Sequence, residues 1–151
     1  MMTDKSTRIL WVDDDGPTVF KHALWVLKAR LNAVVHFAST TRTAIQLLRE
    51  QDFNCVIADQ LLPSDDPIQR PSFNVGVEFV RRLRDGTLAE EIGKNTLTEL
   101  PILVHSAFLS DELESLLADQ LYHDVVFMPK PMNTDELCEW IMTSSRTEGA
   151  D

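Results

Sequence analysis

Five residues of this chain are placed to do chemistry together: Asp13, Asp14, Asp59, Ser106 and Lys130. Each follows a short apolar run. Ile9, Leu10, Trp11 and Val12 lead into Asp13, Asp14 and Asp15, while Cys55, Val56, Ile57 and Ala58 lead into Asp59. Ile102 to His105 lead into Ser106, and Val125 to Met128 lead into Pro129, Lys130 and Pro131. If the runs are strands of an open parallel sheet, their carboxyl ends share one edge, where ligands bind in such folds. That edge would gather three or more carboxylates, a hydroxyl and an ammonium. Adjacent carboxylates repel unless a cation compensates. A hard divalent ion such as Mg²⁺ does so with one or two carboxylates, waters and phosphate oxygens. Asp59, at the end of a strand with no polar face, is then a nucleophile candidate, since carboxylates accept phosphoryl groups. Ser106 can donate to a phosphoryl oxygen, and the flanking prolines fix where Lys130 points. Asp15 reads instead as a helix N-cap.

The elements that must position these groups follow from two alternating periods. Continuous apolar runs near 9–13, 33–38, 54–58, 101–105 and 124–128 are those of strands buried on both faces. Helical spacing fills the intervals. Phe20, Ala23, Leu24 and Leu27 form a stripe over 17–30, with Pro17 in the first turn; 40–51 follows the capping candidates Ser39 and Thr40. Further helices are predicted over 75–85, over 110–120 behind Ser110, and over 134–145. The result is α/β: a (βα)5 doubly wound five-stranded parallel sheet. Residues 60–74, rich in Pro and Asp, and residues 86–100 read as long loops, the first beside the proposed site. The domain is expected over 7–145, between an N-terminal tail at 1–6 and a C-terminal tail at 146–151.

At 151 residues the chain is one domain, and 44% hydrophobic with 25% charged residues is ordinary for a globular protein. A net charge of −10 argues against direct nucleic-acid binding. No apolar stretch has the length of a membrane span or the form of a signal peptide, so a cytoplasmic protein without membrane contact is expected. Cys55 and Cys138 read as reduced structural thiols, and the four histidines show no metal-ligand spacing. Trp11, Trp25 and Trp140 fall at core spacing.

Taken in order, these stretches resemble a response-regulator receiver domain of two-component signalling, a CheY-like domain. The resemblance is carried by Ile9 to Asp15, Val56 to Pro63, Gly76 to Phe79, Leu100 to Ala107 and Phe127 to Pro131. It implies the flavodoxin-like strand order 2-1-3-4-5. It implies Asp59 as phosphoacceptor, served by a sensor histidine kinase or phosphotransfer protein. It implies Mg²⁺ (or Mn²⁺) held by Asp13, Asp14, Asp59 and the Leu61 backbone carbonyl, with Ser106 and Lys130 on the phosphoryl oxygens. Phe127 matches the aromatic switch, and a downstream protein target would read the 108–143 face; a homodimer is compatible with this. The Lys130–Pro131 peptide is expected to be cis. Leu61 and Phe108, two positions after the acceptor and the hydroxyl donor, should make self-dephosphorylation slow. Such a protein is no turnover enzyme on external substrates, and the chain reads as a stand-alone receiver without output domain. It departs from the family at the two long loops, and at Ala58 and Gln60, where larger aliphatics are common.

Two rival readings exist. Asp13 to Thr18 also resembles the opening motif of haloacid-dehalogenase-type phosphatases, with Asp13 as nucleophile and Asp15 as acid/base, but this leaves Asp59 without a role. The other rival is a phosphorylation-independent, receiver-like binding scaffold.

Overall fold

The computed structural model describes residues 6–63 and 73–145. Most of the 60–74 loop and nearly all of both expected tails lie outside these. Five parallel strands, β1 (Thr7–Val12), β2 (Ala33–Ala38), β3 (Cys55–Ala58), β4 (Ile102–Ser106) and β5 (Val126–Pro129), form one sheet in the order β2-β1-β3-β4-β5. The predicted strand order is therefore present, and β1, β3 and β4 are interior. Every residue of β3 and β4, and Ile9 to Val12 of β1, is buried, which explains why they read as unbroken apolar runs.

Seven α-helices are described: α1 (Gly16–Val19), α2 (Lys21–Leu31), α3 (Thr41–Glu50), α4 (Phe73–Asp85), α5 (Thr87–Ile92), α6 (Asp111–Leu117) and α7 (Thr134–Ser145). Successive strand residues face opposite sides, so the sheet has two cores. Ile9, Trp11, Cys55, Ile57 and Leu103 meet Ala23, Val26 and Leu27 of α2 and Leu137, Cys138 and Ile141 of α7. Leu10, Val12, Val56, Ala58, Ile102 and Val104 meet α3, α4, α5 and α6. Thr40 and Ser110 cap α3 and α6 as expected, accepting from the Thr43 and Leu113 N–H groups. Asn32 closes α2 in the left-handed conformation, φ 52°, which its short polar side chain tolerates.

Three expectations are corrected here. The predicted 17–30 helix is interrupted at Phe20, which separates α1 from α2 and turns its ring into the core against Trp11, with ring centroids 4.7 Å apart. Trp25 is 70% exposed, because Ala23, Val26 and Leu27 take the buried stripe and leave it on the solvent side. Residues 86–100 are no loose loop. They hold α5 and a 3₁₀ turn (Asn95–Glu99), which bury Leu88, Ala89 and Leu97. Lys94 ties this segment to the Leu48 and Gln51 carbonyls, and the buried Arg84 donates to the Thr98 carbonyl.

Candidate functional site

The strand ends do converge. Asp13 and Asp14 follow β1, Asp59 follows β3, Ser106 ends β4 and Lys130 follows β5, all at the carboxyl edge of the sheet. Asp59 is 6% exposed, and both of its carboxylate oxygens accept hydrogen bonds. Oδ1 accepts from the Leu61 N–H at 3.2 Å and from the Ser106 hydroxyl at 2.6 Å; Oδ2 accepts from Lys130 Nζ at 3.1 Å. Asp13 has no exposed surface. Its Oδ1 accepts from the Asp15 N–H at 2.9 Å, and its Oδ2 lies 3.3 Å from Lys130 Nζ. Asp14 is exposed at the mouth. The Lys130–Pro131 peptide is cis, as expected.

Charge is badly balanced in this pocket. Three carboxylates contact one ammonium, since Lys130 also reaches Asp15 Oδ2 at 3.2 Å, and Asp14 adds a fourth negative charge beside Asp13 and Asp59. Burial pushes the Asp13 carboxyl up from 3.8 to about 6, against the pull of the Asp15 N–H and Lys130. Asp14, although exposed, is raised by partial loss of surrounding water and then by Asp15 and Asp59. Burial opposes the charge on Lys130, but Asp13 and Asp59 outweigh it and hold the ammonium above its ordinary range.

These residues fit a hard divalent cation. Asp13, Asp14 and Asp59 each offer an oxygen, all within 4.8 Å of one another, and the buried Asp13 Oδ2 faces the Lys130 ammonium at 3.3 Å without an aligned hydrogen bond. An all-oxygen carboxylate set suits Mg²⁺ or Mn²⁺ rather than a soft metal. Leu61 contributes its N–H to Asp59, and its side chain is 39% exposed beside the site.

Phe127 lies opposite Val104 in the β4–β5 ladder, half-buried against the core on the α4 and α6 side. Phe108 and Leu109 stand exposed on the loop between β4 and α6. His105 is fully buried in β4, edge-on to Trp11 and Phe20, and burial pulls its imidazole down to about 4.

Sequence reasoning missed three contributors. Asp15 makes no side-chain cap to α1; it turns to Lys130, 115 positions away, where the charge imbalance draws it. Gln60, unexplained from the sequence, is buried and bonded across to the β4–α6 loop. Gly76 has no room for a side chain. A Cβ there would overlap the Asp59 carbonyl oxygen and the Gln60 backbone, which is how closely α4 approaches the site. Glycine inside a helical pattern was the available signal for this close approach.

No protein-family model matches the sequence, and no curated protein does. Solved structures do match, several of them receiver domains. A signal receiver domain of an HD-domain protein from Pseudomonas fluorescens Pf-5 aligns over 97% of this chain and 100% of its own, at 16% identity and TM-score 0.70. A CheY-like response-regulator receiver domain from Methanospirillum hungatei JF-1 aligns over 96% and 98%, at 19% identity and TM-score 0.68. The receiver domain of a sensor histidine kinase from Pseudomonas aeruginosa PAO1, which has magnesium coordinated in its active-site cleft, aligns over 93% and 98%, at 17% identity and TM-score 0.63. The fold is thus that of response-regulator receiver domains over nearly the whole chain, with an acidic pocket at the edge where the strands end.

Proposed function

We propose that this protein is a phosphoacceptor of two-component signalling. The observation that carries the reading is the convergence of Asp13, Asp14, Asp59, Ser106 and Lys130 from four strand ends onto one pocket. Asp59 is the acceptor. A carboxylate oxygen forms a bond to phosphorus as the phosphorus–nitrogen bond of a partner's phosphohistidine breaks, and the departing imidazole takes up a proton. Asp13, Asp14 and Asp59, with the Leu61 carbonyl, would hold Mg²⁺ or Mn²⁺, which when bound neutralises the converging negative charge. Lys130, already 3.1 Å from Asp59, then has phosphoryl oxygens to bind. The Ser106 hydroxyl, which donates to Asp59 at rest, takes a phosphoryl oxygen as its new acceptor.

The outcome is a shift between two states of the α6, β5 and α7 face, with Phe127 as the side chain that changes packing. Exposed Val126 of β5, and Leu121 in the connection that precedes it, offer a protein target apolar contact there. Phosphorylation moves the balance only by as much as it favours one state over the other.

The deciding experiment is intact-mass analysis after acetyl phosphate and Mg²⁺. A single phosphoryl adduct is expected, lost with chelator and in Asp59→Asn. Labelling that persists in Asp59→Asn, or that maps to Asp13, would overturn the assignment in favour of the phosphatase-like arrangement. No adduct under any condition would favour the phosphorylation-independent scaffold.

A further inference from the structure

Gln60 directly follows Asp59, and its side chain is 1% exposed. A buried amide is costly unless both ends are bonded. Here both are. Nε2 donates to the Phe108 carbonyl, and Oε1 accepts from the Ser110 hydroxyl at 2.5 Å. The amide orientation is fixed by its partners. A carbonyl can only accept, and Ser110 Oγ already accepts from the Leu113 N–H at 3.1 Å, leaving its proton for Gln60. An unbroken chain of bonds therefore runs from the residue beside Asp59, through Ser110, to the first turn of α6.

The backbone of Gln60 has no freedom to follow if that loop moves. Its carbonyl accepts from the Gly76 N–H at 3.1 Å, and α4 lies against it too closely for any side chain at Gly76. The loop itself has two tethers near the site. Ser106 holds Asp59 by its hydroxyl, while Phe108 and Ser110 hold Gln60. A group bonded to Asp59 gives the Ser106 hydroxyl a new acceptor farther out. Ser106 is covalently followed by Ala107 and Phe108, so its displacement pulls on the loop, and the Gln60 amide resists.

We propose that Gln60 is a positioning residue that latches the β4–α6 loop in its resting place and sets how readily occupancy of Asp59 reaches α6. The inference rests on the phosphoacceptor reading for what moves Ser106. An aliphatic side chain here would fill the space without either bond, so the latch is a property of the amide and not of the packing.

The test compares full-length wild type with Gln60→Met, near-isosteric and unable to bond either partner, using beryllofluoride with Mg²⁺ as the probe of Asp59. Releasing the latch should raise the apparent beryllofluoride affinity roughly three- to tenfold, because less restraint opposes the switched state. A residue that merely supports the fold would lower that affinity when removed. In the metal-only state, the amide signals of residues 107–113 in Gln60→Met should already be displaced toward their wild-type beryllofluoride positions. Exchange of the Leu113 amide should be about tenfold faster. Equal or weaker affinity, from unshifted amides, would overturn the latch. Should Gln60→Met not fold, wild type alone decides: the Gln60 side-chain amide protons must be protected from exchange at rest and lose protection with beryllofluoride. Exchange as fast as that of exposed glutamines overturns the proposal. A wild type that ignores beryllofluoride overturns the phosphoacceptor reading and the coupling together. A wild-type response that Gln60→Met reproduces from the same starting point overturns the latch alone.

Discussion

Neutralising Asp13 should stabilise the metal-free protein at pH 8, although Asp13 is a buried partner of Lys130. Its carboxyl is fully buried and moved from 3.8 to about 6, so holding it ionised in the folded state costs about 3 kcal/mol. In Asp13→Asn the side-chain oxygen still accepts from the Asp15 N–H, as Oδ1 does at 2.9 Å. The new amide faces Lys130 in place of Oδ2, at an expense of about 1–1.5 kcal/mol. Lys130 keeps Asp15 and Asp59. The expected net gain is about 1.5–2 kcal/mol. The sign with pH follows from the raised folded-state value. The folded protein binds this proton more tightly than the unfolded chain, so the destabilisation is complete above about pH 6 and fades as pH falls toward 3.8. At pH 5 the variant's advantage should have shrunk by about 1.4 kcal/mol. Wild type alone would conceal this. His105, lowered from 6.5 to about 4, stays neutral when folded while the unfolded chain takes up a proton, which removes about 2 kcal/mol by pH 5. The assay is urea unfolding of both proteins with chelator at pH 8 and pH 5. Saturating Mg²⁺ should invert the order, since a ligand at 100 times its Kd adds about 2.7 kcal/mol to whichever protein binds it. A variant less stable by about 3 kcal/mol at pH 8 without metal would refute the reasoning, showing that loss of a buried partner outweighs relief of repulsion.

Gly76→Ala should lower the urea midpoint, by roughly 2–3 kcal/mol of stability, because the added Cβ meets backbone that cannot yield; an unchanged midpoint would disprove the close approach of α4. Trp25→Ser should leave stability within about 0.5 kcal/mol, since the indole is 70% exposed, and a larger loss in thermal unfolding would contradict its placement. Leu61→Asn with Phe108→Glu should speed decay of the phosphorylated protein, because the receiver resemblance puts both positions beside the path of the hydrolytic water and neither apolar side chain can orient one. Unchanged or slower decay, followed by intact mass, would show that they do not set the lifetime.

The interior strands were readable because residues such as Ile9 to Val12 and Cys55 to Ala58 are buried on both faces, which leaves no polar position to interrupt the run. The site was readable for the same reason: Asp13 and Asp59 are the first polar groups after those runs. The 87–92 helix was not. Six residues between Gly86 and Gly93 are too few to display a helical period, and the burial of Leu88 and Leu97 depends on α4 and the sheet. Asp15 and Gln60 were misread or unread because their partners are an ammonium 115 positions away and a main-chain carbonyl, and a sequence displays no carbonyls.

The turn of Phe20 out of the helix line has an electrostatic consequence. Its ring lies 5.8 Å from Lys130 Nζ on one side and stacks on Trp11 on the other, with Phe37 and His105 completing an oily floor. Mobile ions are thus kept from the charged groups on the side these rings cover. Dissolved salt should damp the long-range pull on an approaching cation, whose path is open to water, with a screening distance of about 8 Å at physiological ionic strength. It should leave the Lys130 contacts with Asp13 and Asp59 almost untouched. Arrival at the pocket and retention within it should therefore respond differently to the same change of buffer.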